Sequence, residues 1–249
     1  MTDKIDRPHA TVILAISADG KIADAVRSPA RFGSANDKAH LEQQVAASDA
    51  VLFGNGTLQA YGTTMRVISP ELLKQRELQG KPPQPVQIVC SRSPAFDLNL
   101  RFFQQPVPRW LLTGQETRET LAMPFPYPMK NSKFDRIIYA KTAEGEIDLI
   151  DAFQRLETLG IKRLAILGGG KLVASLLAVG LIDELWLTVC PLILGGADAP
   201  TPVEGKGFLA HLAPKLELLA VKQVGQEVFL HYRLDRPQSE NTHKQGKLY

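Results

Sequence analysis

A run of three glycines, Leu167-Gly168-Gly169-Gly170-Lys171-Leu172, joins an apolar strand-like segment, Arg163–Ile166, to a helix-like one, Leu172–Val179. Glycines at a strand-to-helix turn let backbone N–H groups approach a ligand that any Cβ would hold off. The helix aims the positive end of its dipole at the same spot. That arrangement suits a phosphate. It also suits a helix that only has to pack close to a sheet, and a second turn of the same kind weighs between the two readings. Asp49–Phe53 reads as a buried strand and runs straight into Gly54-Asn55-Gly56-Thr57. Gln59 stands where a dinucleotide fingerprint would need its third glycine, so this is not that motif. Two phosphate-type turns on one sheet predict one extended nucleotide.

Strand-like and helix-like runs alternate along the rest of the chain. Thr11–Ile16 suits a central strand, and Asn36–Ala47 a helix capped by Ser34 or Asn36. Pro85–Cys90, Trp110–Thr113 and Asp135–Tyr139 are further strands, with a short helical piece near Glu116–Leu121 between the last two. Asp148–Leu159 is amphipathic and stops at Gly160, and Leu172–Val179 stops at Gly180. Glu184–Leu194 reads as one long strand in which Pro191 implies an edge position or a bulge. Leu216–Val224 and Glu227–Leu234, parted by Gly225-Gln226, predict a closing β-hairpin. The expected fold is α/β: a mostly parallel central sheet flanked by helices, with an antiparallel C-terminal hairpin. Glu71–Pro85 and Pro94–Pro108, rich in prolines and charges, read as surface excursions. Residues 10–234 read as one domain, after an extension over 1–9 and before a disordered tail over 235–249.

Charge narrows the function. A net charge of +3 over 249 residues, with no basic run interleaved with aromatics, argues against nucleic acid as a partner. Lys130 to Lys133 and Lys162-Arg163 read as solvated faces. Cys90 and Cys190 lie far apart in apolar strands, which fits core thiols in a reducing cytosol and neither a disulfide framework nor a metal site. No segment has the length of a membrane span or the pattern of a signal peptide, so a cytoplasmic protein is expected.

An ordered set of motifs then points to a family. Ala15-Ile16-Ser17-Ala18-Asp19-Gly20-Lys21-Ile22-Ala23, Gly54-Asn55-Gly56-Thr57, Gly168-Gly169-Gly170, Gly180 to Glu184, Pro191 to Gly196, Ala199-Pro200-Thr201 and Gly207-Phe208 follow one another. Across about residues 10 to 234 the chain resembles the riboflavin-biosynthesis reductases, which form the C-terminal half of the bacterial bifunctional deaminase/reductase and stand alone in archaea and fungi. The resemblance implies a dihydrofolate reductase-like fold, a homodimer, and reduction by NADPH of a phosphorylated ribosylaminopyrimidine to its ribitylamino product. No Pro-Cys-x-x-Cys signature of the zinc deaminase half is present. Hydride transfer asks chiefly for positioning and exclusion of water.

By resemblance, Ala15 to Ser17 would line the nicotinamide and pyrimidine. Gly54, Gly56 and Thr57 would hold the cofactor's phosphates and ribose, and Gly168, Gly169, Gly170, Lys171 and Leu172 its pyrophosphate from the other side. Asp19 and Ser17 are the candidate catalytic residues, Asp19 orienting the substrate, relaying a proton or only bonding its own turn. Ser17, Lys21, Ser34 and Arg66 are the candidate substrate ligands, Arg31 and Lys38 being further cations for its phosphate. Asp183-Glu184 reads as a turn cap, and Ser91-Arg92-Ser93 as a candidate for the adenosine 2′-phosphate. The chain departs from the family on the substrate side. Tyr61-Gly62-Thr63 stands for an Asp-Asp-Pro, Val45-Ala46 for an arginine and Leu167 for an acidic residue. Two further readings follow: a reductase of another pterin- or pyrimidine-like substrate, and a nucleotide-binding relative without catalysis.

Overall fold

The computed structural model describes residues 6–93, 95–115 and 133–235. The expected helical piece at 116–121 and the tail beyond 235 lie outside them. One sheet of nine strands organises the rest: β1 (His9–Ser17), β2 (Ala50–Gly54), β3 (Val86–Cys90), β4 (Arg109–Gly114), β5 (Arg136–Ala140), β8 (Arg163–Ile166), β9 (Glu184–Cys190), β10 (Leu216–Val224) and β11 (Glu227–Leu234). Two short strands, β6 (Thr142–Ala143) and β7 (Glu146–Ile147), form a separate ribbon. The order across the large sheet is β10-β11-β9-β1-β8-β2-β3-β4-β5. All neighbours are parallel except β9–β11 and β11–β10, so the expected mixed sheet with an antiparallel C-terminal hairpin is present.

Side-chain alternation sorts the core into two layers. In β1 and β2, Val12, Leu14, Ala50 and Leu52 point to one face, where α4 (Leu149–Thr158) and α5 (Gly170–Ala178) bury Phe153, Leu156, Val173 and Leu176. Ile13, Val51 and Phe53 point to the other, against Val45 of α1 (Ala35–Ala47), Leu58 of α2 (Asn55–Tyr61) and Leu72 of α3 (Pro70–Leu78). Both faces are covered, which is why these strands read as continuous apolar runs.

Three expectations are corrected. The stretch after Ser69 opens as helix α3: Ser69 accepts from the Leu72 N–H, and Pro70 occupies a first-turn position where its missing donor costs nothing. Its buried anchor is Arg76, 2% exposed, whose guanidinium donates to the carbonyls of Pro82, Ala46 and Ser48 at 2.8, 2.6 and 2.8 Å. The 94–108 excursion carries a 3-10 turn, Arg101–Gln104, whose Phe102 and Phe103 are buried, Phe102 edge-on to Phe53. Pro191 is neither in an edge strand nor at a bulge. It ends β9, which lies inside the sheet between β1 and β11, and the edge belongs to β10.

Candidate active site

Parallel strands bring their C-terminal ends to one rim. There β2 hands the chain on to β3 on one side, whereas β8 hands it, through α5, to β9 beyond β1 on the other. Connections that part in opposite directions leave a crevice above the strand ends, the place where open α/β sheets bind ligands. The two glycine turns meet in it. The Gly54 N–H faces the Gly168 carbonyl at 3.5 Å, and a Cβ on Gly169 would lie 3.4 Å from Thr57 Oγ1 and 4.0 Å from Gly54 N.

Each glycine has its own reason. Gly168 and Gly169 have φ of 106° and 88°, a region other residues enter only under strain. Gly54 and Gly56 have ordinary backbone and nothing within 4 Å of where a Cβ would stand, so their want of a side chain leaves open space. Gly170 is different: a Cβ there would meet the Thr201 carbonyl at 2.4 Å, and its own carbonyl accepts the Glu204 N–H at 3.1 Å. Its bareness serves the packing of the 201–204 segment. Helix α5 starts at Gly170 with no side-chain cap, leaving its first N–H groups for another acceptor. Lys171 is exposed in its first turn, whereas the Leu172 side chain packs against the core, so only the Leu172 backbone remains for a ligand.

Beside these turns opens a cleft of about 620 Å³ lined by Asn55, Cys90, Ser91, Arg92, Ser93 and Gly145. It places Ser91-Arg92-Ser93 at the C-terminal end of β3, one strand from Gly54. Arg92 pairs with Glu146 across it.

The exit of β1 is built as a clasp. Ser17 is buried. Its hydroxyl donates to Asp19 Oδ1 at 2.6 Å and accepts the Lys21 N–H at 2.9 Å. Asp19 also accepts the N–H groups of Leu194 and Gly195 at 3.0 and 2.7 Å. The Ser17 hydroxyl, then the Leu194 amide, hold the Asp19 carboxyl down at about 2. Through these bonds Asp19 fastens the loop segment of Leu194 and Gly195 to the end of β1. A carbon-detected NMR titration of Asp19 should place its midpoint near 2, leaving any acidic limb of activity above pH 4 to another group. Its contribution to stability is present above the ordinary carboxylate value and fades as pH falls through about 2.

That loop, 191–204, straps the site. Ala18 N–H bonds the Leu192 carbonyl at 2.8 Å, Ile22 N–H that of Pro200 at 2.9 Å, and Lys21 Nζ reaches the Ala199 carbonyl at 3.4 Å. The motifs Pro191 to Gly196 and Ala199-Pro200-Thr201 hinted at it in the sequence. Ser34 is spent otherwise than expected. It caps α1 by accepting from Asn36 and Asp37, donates its hydroxyl to Glu227 Oε2 at 2.6 Å, and gives its N–H to Glu227 Oε1 at 2.7 Å. Its polar capacity is thereby full. Asp183 fastens the other end of the sheet, taking both Arg7 guanidinium nitrogens at 2.8 and 2.9 Å and the Ala10 N–H at 2.8 Å. Arg66 is half-buried on the turn after α2 with no ion-pair partner among the described residues. Arg31 and Lys38 are exposed. No helix among the described residues is long and apolar enough to cross a membrane.

Comparison with known proteins adds the following. The profile of the RibD C-terminal domain matches residues 8–230. A 2,5-diamino-6-ribosylamino-4(3H)-pyrimidinone 5′-phosphate reductase of Archaeoglobus fulgidus is 28% identical over 92% of this chain and 100% of its own length. The riboflavin biosynthesis protein RibD of Actinobacillus pleuropneumoniae is 26% identical over 93% of this chain, which spans 58% of it. Among solved structures, a pyrimidine reductase-like protein of Corynebacterium diphtheriae shares the fold with a TM-score of 0.73 at 21% identity, covering 93% of this chain and 94% of that one.

Proposed function

Because the chain belongs to the RibD C-terminal domain family, we propose that it reduces a phosphorylated ribosylaminopyrimidine with hydride from NADPH. The observation that carries the reading is the meeting of two bare glycine turns at the crevice, with the cleft of Ser91–Ser93 beside them. The residues fit a nicotinamide dinucleotide. Gly56 and Thr57, with the uncapped start of α5, offer backbone N–H groups to the pyrophosphate, Gly54 leaves room for it, and Ser91 to Ser93 suit the adenosine end and its 2′-phosphate. When bound, the cofactor supplies the hydride. On a 5-amino-6-(5-phosphoribosylamino)uracil-type substrate or its 2-amino counterpart, hydride adds to C1′ of the ribosyl group. The C1′–O bond of the ring breaks, a proton goes to the released oxygen, and the ribitylamino product forms.

The chain's own part is positional. The clasp of Ser17 and Asp19 fixes the end of β1, so that Ala15 and Ile16 present a fixed floor to the reacting rings, and the 191–204 strap keeps water off that side. Arg66 takes the substrate phosphate, and Lys21 lies at the clasp for the same charge. A homodimer, as in the family the chain resembles, has an available surface on edge strand β10, where Leu216, Leu218 and Val221 are exposed.

The deciding experiment follows NADPH oxidation at 340 nm by the purified protein with the diamino and the deaminated ribosylaminopyrimidine phosphates and with dihydrofolate. Turnover of either pyrimidine supports the reading. Turnover of dihydrofolate alone, or tight NADPH binding with no turnover, overturns it. Arg66→Ala should raise the KM for the phosphorylated pyrimidine about tenfold or more, a loss of roughly 1.4 kcal/mol. An unchanged KM removes Arg66 from the phosphate site.

A further inference from the structure

The hairpin of β6 and β7 carries an acid that the sequence motifs do not single out. The chain leaves β5, at one edge of the sheet, and doubles back over the end of β4. Gly114, the last residue of β4, is bare where the hairpin lies on it: a Cβ there would stand 2.4 Å from Thr142 Cγ2. The turn is two residues long, Glu144 and Gly145, both at positive φ, 54° and 77°, as a tight hairpin requires. Ala143 pairs with Glu146 and Thr142 with Ile147, the Asp148 N–H closes on the Lys141 carbonyl at 2.8 Å, and Asp148 then caps α4. Ile147 packs against the core. The backbone of Glu146 is thereby fixed from both sides, while its side chain stands in solvent.

This hairpin walls the cleft of about 620 Å³, which Gly145 lines from one side and Ser91, Arg92 and Ser93 line from the other. Of the residues lining it, Arg92 carries the positive charge. Ser91 spends its hydroxyl proton on the Ser93 carbonyl at 2.8 Å, and Ser93 Oγ accepts the Ala95 N–H at 3.2 Å. An anion in this cleft therefore depends on Arg92, and the Arg92 guanidinium is hydrogen-bonded and ion-paired to Glu146. The planar fork that takes a phosphate is the same one that takes a carboxylate. Dinucleotide sites read the adenosine ribose with one of two devices, an acid that accepts from a 2′-hydroxyl or an arginine that receives a 2′-phosphate. Here one of each stands at a single cleft, and the two are in contact.

We propose that Glu146 is a specificity-determining residue for the cofactor: it competes with the 2′-phosphate for Arg92 and so holds down the preference for NADPH over NADH. The inference rests on the cofactor assignment above and deepens it. A 2′-phosphate entering the cleft has to take Arg92 from the carboxylate and then sit near a negative charge that the pinned hairpin keeps in place. NADH, with a hydroxyl at that position, leaves the pair intact. Glu146→Gln removes the charge, keeps the shape and frees the fork, and should tighten binding of the phosphorylated ribose about tenfold. Both side chains are exposed, so the gain should shrink as salt rises from about 50 to about 500 mM.

The test is calorimetric and needs no turnover. The affinities of 2′,5′-ADP and 5′-AMP, which reproduce the adenosine end alone, are measured for the wild type, Glu146→Gln, Arg92→Gln and the double variant. An exposed ion pair contributes little to folding, so the thermal midpoints of all four should agree. Glu146→Gln is expected to bind 2′,5′-ADP about tenfold tighter and 5′-AMP within about twofold of the wild type, and the double variant to bind 2′,5′-ADP no tighter than Arg92→Gln. With a pyrimidine that turns over, the ratio of kcat/KM for NADPH over NADH should rise by the same factor. A 2′,5′-ADP affinity unchanged by Glu146→Gln overturns the proposal and leaves the cofactor reading standing; so does a gain that persists in full without Arg92. A wild type that binds neither 2′,5′-ADP nor NADPH brings down the cofactor reading and the proposal with it. Should the fragments behave as expected while neither pyrimidine turns over, the reductase reading falls and the assignment of Glu146 stands.

Discussion

Gly54→Leu is expected to fold with little loss of stability and to weaken NADPH binding by about 100-fold or more, roughly 2.7 kcal/mol. The backbone at Gly54 has φ −77° and ψ 157°, which any residue adopts, and nothing stands within 4 Å of its Cβ position. A leucine there projects into the open space between the two glycine turns, where the pyrophosphate is proposed to lie. The measurement is a paired one, thermal midpoint against NADPH affinity by fluorescence quenching. A variant that unfolds, or one that binds NADPH as the wild type does, removes Gly54 from the cofactor cradle. The contrast with Gly170 sharpens the test. A Cβ at Gly170 strikes the Thr201 carbonyl, so Gly170→Ala should displace the 201–204 segment and lower stability as well as binding.

Arg76→Ala is expected to cost about 3–5 kcal/mol and to lower the thermal midpoint by about 10 °C, as read by calorimetry. The guanidinium is buried and spans three carbonyls from two separate segments, those of Ala46 and Ser48 at the end of α1 and of Pro82 after α3. Its removal strands those acceptors and empties the volume of a long side chain. Arg76→Lys should recover little, because an ammonium on a flexible stem cannot reproduce the planar fork that reaches all three. Lys81 works the same corner, bonding the Ala47 carbonyl at 2.8 Å and Asp49 at 2.9 Å. A loss below about 1 kcal/mol for Arg76→Ala would show that water takes over the three carbonyls.

These two residues mark where the sequence was legible and where it was not. The strands were visible because β1 and β2 are covered on both faces and so read as unbroken apolar runs. The turn at Gly168-Gly169 was visible because its backbone needs positive φ, which selects glycine. Helix α3 was hidden because its anchor is an arginine, a residue that reads as surface in any apolar pattern, and because Pro70 looks like a break when it is a start. The 191–204 strap was hidden for another reason. Its bonds to Ala18, Asp19 and Ile22 run largely through backbone N–H and C=O groups, which leave no trace in side-chain identity. Ser34 shows a third limit. A capping serine at a helix start is the commonest of surface patterns, and only its two bonds to Glu227, distant in the chain, turn it inward. Pro191 misled in the opposite direction: it marks the end of an interior strand, since beyond Cys190 no ladder requires its missing donor.

The place of β1 has a consequence for how the molecule comes into being. This strand is central, flanked by β8 at the His9–Arg163 register and by β9 up to the Ser17–Cys190 pair. Its partners thus leave the ribosome long after it does. Until they emerge, an apolar run that ends buried on both faces has nothing to pair with. Pairings so remote in sequence slow a folding reaction and prolong the exposure of unpaired strands. Nascent chains stalled before residue 190 should therefore be the ones that chaperones hold, and release from that hold should coincide with the synthesis of β9.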